Sequence, residues 1–164
     1  MQLKFFILIT NYLILLFFNG CGFNQKTVRH YGWHTEIGSP KGNFLVRGMK
    51  TDEISQDMNR LILALNRSEK VPLLKDRGHE ADAPLPVLVF QKISKNTAYI
   101  KILNDFYLTQ QMGTTGADAF LAKATFTLTE YEGVDSVYFI FEEGDHAIPG
   151  KYSREDFKER WKIK

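Results

Sequence analysis

The chain predicts an α+β fold: a two-layer sandwich in which a single sheet packs against two helices, in the order β-α-β-β-α-β, with a further helix at the C-terminus. Three observations carry this. Apolar residues recur at three and four residues in two separate segments, which marks one face of a helix. Short runs rich in β-branched and aromatic residues lie between and after them, and such residues suit a half-buried pleated surface. Two amphipathic helices also need an apolar layer to cover, and one face of a sheet supplies it.

The elements follow in order. Residues 21–42 show no sustained period and are punctuated by Gly32, Gly38, Pro40 and Gly42, so they read as a tether that becomes the first loop. Asn43 to Met49 holds Phe44, Leu45 and Val46 and reads as a first strand. Thr51 reads as the N-cap of a helix over 51–66, with Asp52 and Glu53 in its first turn and Ile54, Met58, Leu61, Ile62 and Leu65 as its apolar stripe. After a polar loop from Lys70 to Pro86, Val87-Leu88-Val89-Phe90 and Ala98 to Leu103 read as paired strands joined by a tight turn at Ser94-Lys95-Asn96. In the second strand Ile100 and Ile102 face one way and Tyr99 and Lys101 the other. Thr115 with Asp118 resembles a capping box, opening a helix whose stripe is Ala117, Phe120, Leu121, Ala124, Leu128 and Tyr131, closed by Gly133. Val137 to Phe141 reads as a strand, and Ser153 as the cap of a last helix carrying Phe157 and Trp161.

The N-terminus bears on location. Lys4 is the one charge ahead of an apolar run from Phe5 to Phe18, the layout of a secretory signal over residues 1–20. That run is short of the roughly 20 residues a membrane-crossing helix needs. Phe18-Asn19-Gly20-Cys21 resembles the bacterial lipobox, in which the cysteine is lipidated and becomes the first residue of the mature protein. Cys21 is the chain's one cysteine, so lipidation also accounts for an exported thiol with no disulfide partner. Residues 21–42 then serve as a lipid-anchored tether, and 43–164 as one domain. The formal net charge is +2 and the cations are scattered, which argues against nucleic acid, whose phosphates call for a basic face.

Candidate chemistry is sparse. His30, Trp33, His34 and Glu36 bring imidazoles and a carboxylate into one short segment, but not at the regular spacing of a zinc site. Asp76, His79, Glu80 and Asp82 could offer oxygen ligands, yet lack the glycine and spaced carboxylates of a calcium loop. His146 could act as an acid or base, but no partner can be placed beside it from sequence. No phosphate loop, nucleophile elbow or H-E-x-x-H run occurs. The expectation is a non-enzyme with no catalytic residues, metal or cofactor.

Residues 97–144 carry a family resemblance. Ala98-Tyr99-Ile100-Lys101-Ile102-Leu103-Asn104-Asp105-Phe106 is similar to the polar-ended strand of the GerMN domain, a family named for a bacterial sporulation and germination protein. Ala124-Thr125-Phe126-Thr127-Leu128-Thr129-Glu130-Tyr131 resembles its helix with a "TLTE" run, and Gly133-Val134-Asp135-Ser136-Val137-Tyr138-Phe139-Ile140 its "GVxSVxxxI". The turn Gly144–Gly150 is longer than the family's short hairpin. The resemblance implies a ferredoxin-like or ring-building-like α/β domain, often in exported or lipid-anchored proteins. The combined expectation is a non-catalytic envelope protein held to the membrane by its N-terminal lipid. It would face out of the cytoplasm and bind an envelope protein or assemble with itself. The alternative is binding of a small ligand or cell-wall glycan through Trp33, Tyr31 and loop aromatics.

Overall fold

The computed structural model describes residues 27–28, 31–39, 42–50, 54–55, 57–68 and 84–164. In chain order the elements are β1 (Thr27–Val28), β2 (Tyr31–Ser39), β3 (Gly42–Lys50), β4 (Ile54–Ser55), α1 (Met58–Ser68), β5 (Val87–Ser94), β6 (Thr97–Leu103), a π-helical turn (Tyr107–Gln111), α2 (Gly113–Leu128), β7 (Ser136–Ile140), β8 (Gly150–Ser153), a 3-10 turn (Glu155–Phe157) and β9 (Lys162–Ile163).

The class is α+β as expected, but there are two principal sheets rather than one. The larger runs β5-β6-β7-β8, the smaller β2-β3-β9, and β1 and β4 form a two-residue ladder. β5 and β6 make the expected hairpin, turning at Lys95 and Asn96, whose φ of 48° and 57° match the doubly left-handed turns that suit strand twist. β6 and β7 are parallel, with α2 as the crossover between them. On the buried face Ala98, Ile100 and Ile102 line up beside Val137 and Phe139. Helix α1 meets the edge strand β5, where the Asn66 amide donates to Leu88 O and accepts from Leu88 N, both at 2.9 Å.

The expected boundaries that fail each have an identifiable cause. Tyr31–Ser39, expected as tether, is strand β2, paired antiparallel with β3; Gly38 and Gly42, at φ 78° and 108°, flank the hairpin turn. Trp33 and Phe126 explain this: the indole packs edge-on against the Phe126 ring at 4.9 Å, giving β2 a buried anchor on α2. Asn43 to Met49 accordingly lies in the smaller sheet. Helix α1 starts at Met58, not near Thr51, because Asp57 accepts the Asn59 N–H at 2.9 Å as an N-cap does, while Ile54 pairs in β4. Thr51 lies outside the described residues.

Thr115 sits inside α2 rather than at its start. The preceding π-helical turn runs into the helix, and the Met112 N–H donates to Tyr107 O at 2.8 Å, so backbone takes up the bond a side-chain cap would. Gly133 does adopt the expected left-handed conformation, at φ 80°. The last helix is replaced by β8, the 3-10 turn and β9. Ser153 is not its cap: Ser153 N and Oγ both donate to Asp156. Phe157 and Trp161 are still one turn apart, with the Trp161 N–H donating to Phe157 O at 2.9 Å, and both are buried. β9 then leaves to run parallel to β3.

Helix α2 organises all of this. Ala117, Ala119 to Ala122 and Ala124 to Leu128 are buried, so the helix is enclosed nearly all round, as an apolar helix between two layers must be. The larger sheet lies on one side, and β2 meets it through Phe126 and Thr127.

Candidate functional site

The residues suggested by sequence chemistry do not converge. Cys21, His30, Asp76, His79, Glu80 and Asp82 lie outside the described residues. His34 and Glu36 alternate with Trp33 along β2, so both are exposed while Trp33 is buried. Glu36 accepts from Lys164 Nζ at 2.8 Å, and that hydrogen bond holds its carboxyl below the usual range. His146 Nδ1 meets Thr114 Oγ1 at 3.2 Å, and the His146 backbone N–H donates to Thr109 O. This pins the connection between β7 and β8 onto the π-helical turn. Gly144 belongs to the same contact: a Cβ there would lie 2.6 Å from Thr109 Cβ. Among the described residues no group of three or more His, Cys, Asp or Glu side chains could hold a metal ion. No described helix is long and apolar enough to cross a membrane.

The Thr127-Leu128-Thr129-Glu130 run proves to be a fastening. Trp33 N donates to Thr127 Oγ1 at 3.2 Å, Leu128 is fully buried, and Thr129 Oγ1 donates to Thr125 O at 2.8 Å. Glu130 accepts from Trp33 Nε1 at 3.2 Å, Arg47 Nη2 at 3.0 Å and Arg154 Nη2 at 2.7 Å. Arg154 also reaches Thr129 Oγ1 and Phe126 O. Burial pushes the Glu130 carboxyl up, but the donors from Arg154, Arg47 and Trp33 outweigh it and leave it below the usual range. One carboxylate thus joins β2, β3, the end of α2 and the segment after β8. A second, Asp118, accepts from Trp161 Nε1 at 2.6 Å and pairs with Arg160 at 3.0 Å near the other end of α2. With every member engaged, these groups hold the fold together and leave Trp33 no free donor for a ligand.

The surface left over is the other face of the larger sheet. Strand alternation puts Val87, Val89, Lys92, Tyr99, Lys101, Leu103, Tyr138, Ile140 and Lys151 there. Leu103, Tyr138 and Ile140 are each about 40% exposed, a level that decides the matter because no described element covers them. Tyr99 and Tyr138 are cross-strand partners with ring centroids 5.4 Å apart and planes 23° from parallel, and Lys92 Nζ stands 5.0 Å over the Tyr99 ring. Sequence reasoning placed Tyr99 and Lys101 on one face of β6 but not their neighbours. The signal lay in strand parity: β5, β6, β7 and β8 contain no Asp or Glu, and their three lysines all fall on this face. Val87, Leu103, Tyr138 and Ile140 thus stand exposed on one face, interspersed with the three lysines.

No family model matches the chain, and no curated protein matches it. Among solved structures it is similar to the tandem GerMN domains of the sporulation protein GerM from Bacillus subtilis, at 18% identity and a TM-score of 0.49. The match covers 79% of this chain and 47% of that one, so the chain spans about half the length of the protein it matches.

Proposed function

We propose that this chain is a non-catalytic, lipid-anchored protein of the bacterial cell envelope whose GerMN-like domain binds another protein through the open face of its larger sheet. The observation that carries the reading is that face: Val87, Leu103, Tyr138 and Ile140 are exposed on strands whose opposite side buries Leu88, Ala98, Ile100, Ile102, Val137 and Phe139. Exposed aromatic and aliphatic side chains, here interspersed with lysines, offer a surface that a protein partner can cover. The anchor and compartment rest on Lys4, Phe5 to Phe18 and Gly20-Cys21, and the domain name on the run from Ala98 to Ile140. A glycan-binding role draws on one observation, the stacked Tyr99 and Tyr138 rings, on which a sugar could lie. Trp33, buried and bonded to Glu130, is not available for it.

The test is a photo-crosslinking amino acid at Tyr138 in the full chain, made in cells. A discrete protein adduct is expected in the membrane fraction, absent when the probe sits at the exposed Glu159. In a Cys21→Ala background the chain should lose fatty-acid labelling and leave that fraction. Capture of glycan instead of protein at Tyr138 would transfer the site to the second reading. Unchanged labelling of Cys21→Ala would remove the anchor.

A further inference from the structure

We infer that the occupant of the open sheet face is an acidic protein surface. This rests on the docking role proposed above and adds the chemistry of the partner. Lys92, Lys101 and Lys151 stand on the face beside Tyr99, Ile140 and Tyr138, one lysine on each of three strands. All three are exposed. The four strands thus carry three cations and no carboxylate.

Among the described residues the acids that flank these strands lie beyond their ends: Asp135 accepts from Asn96 Nδ2 at 3.0 Å, Asp105 accepts the Glu142 backbone N–H at 2.8 Å, and Glu142 is itself exposed. The four strands contain no Asp or Glu, so the face offers three exposed cations to a partner's carboxylates. A second copy meeting the first face to face would bring two lysine-bearing surfaces together, and like charges repel across an interface. The apolar side chains stand level along the strands rather than on a projecting loop, so they meet a surface and do not reach into a bilayer. The partner therefore carries Asp and Glu among aromatic or aliphatic side chains. The Tyr99 ring, already held under Lys92, gives it a rigid contact at low entropic cost.

The experiment pans a display library of short random peptides on the detergent-solubilised full chain, with phosphatidylglycerol vesicles as a second probe. Selected peptides should be rich in Asp and Glu interspersed with apolar residues. Their affinity should fall by about tenfold in Lys101→Glu and weaken as salt rises. Lys151→Glu serves as an independent variant, and unchanged melting temperatures show that both fold. Neutral or basic binders, binders indifferent to both variants, or binding of vesicles without acidic peptides would overturn the inference. If the Tyr138 adduct persists in any of those cases, the docking face stands and only the acidic partner falls. If the adduct is also absent, both fall.

Discussion

The two faces of the β5-β6-β7-β8 sheet are built from the same strands and differ by one residue of register. Toward α2, Ile100, Val137 and Phe139 are fully buried; on the other side Tyr99, Lys101, Tyr138 and Ile140 meet solvent. Side chains alternate across a strand, so each residue on one face is bracketed by two on the other. The packed face is explained by stability. On the docking reading proposed above, the open face is the one that carries function, so which side of a strand a residue takes matters more than which strand it is in.

The comparison breaks most directly by truncation on each side. Leu128→Ala removes a fully buried side chain of α2 and is expected to cost about 2–5 kcal/mol, read as a shift of the urea midpoint. Tyr138→Ala on the open face should cost no more than the roughly 0.2–1 kcal/mol of a cross-strand pair. Equal shifts from the two would mean that the open face is structural, and the docking reading would go with it.

The next effect tests whether the smaller sheet depends on the carboxylate that fastens it. Glu130→Ala strands Arg154 and Trp33 without their acceptor, and about 1–3 kcal/mol of stability should be lost. Because the folded carboxyl titrates below its ordinary value of 4.5, its contribution is complete above that pH and is lost as pH falls through the folded value. Stability measured from neutral pH downward should fall more steeply in the native chain than in Glu130→Gln below about pH 4.5. Parallel profiles would show that the ion pairs contribute nothing beyond hydrogen bonding.

The smallest effect concerns the histidines. His34 is exposed, and His146 makes a loop contact, so the double change to Gln should move stability by no more than about 0.5 kcal/mol and leave Tyr138 crosslinking intact. Loss of a cellular phenotype with melting unchanged would instead favour chemistry at one of them.

Much of the larger sheet was legible because its signals are local. The apolar alternation of β6, the Lys95-Asn96 turn, the stripe of α2 and Gly133 each act over a few residues. The smaller sheet was not, since β2 is rich in glycine and polar residues and becomes a strand only through Trp33 on Phe126 and through β3. Its one clue was Trp33, Thr35 and Ile37 alternating with His34 and Glu36. The enclosure of α2 left a clearer mark: Ala119, Ala122 and Phe126 lie off the stripe yet are apolar, which calls for a layer on its second side. Glu130 could not be recognised as a fastening from sequence, because its donors come from residues 33, 47 and 154. The open face was half visible: parity gave Tyr99 and Lys101, whereas Tyr138 and Lys151 join them only once the strand order is known.

The Asn66 amide has a consequence for how copies of this protein can coexist. It occupies the outward N–H and C=O of Leu88 as a further strand would, and past it the ladder is interrupted by the bulge between Phe90 and Lys92. Another chain trying to extend the sheet along β5 would have to expel the amide and then cross the irregular stretch beside a charged side chain, the devices by which sheet proteins resist fibre formation. Crowded on a surface, such molecules would not join through β5, and that rim of the larger sheet is closed to a neighbour.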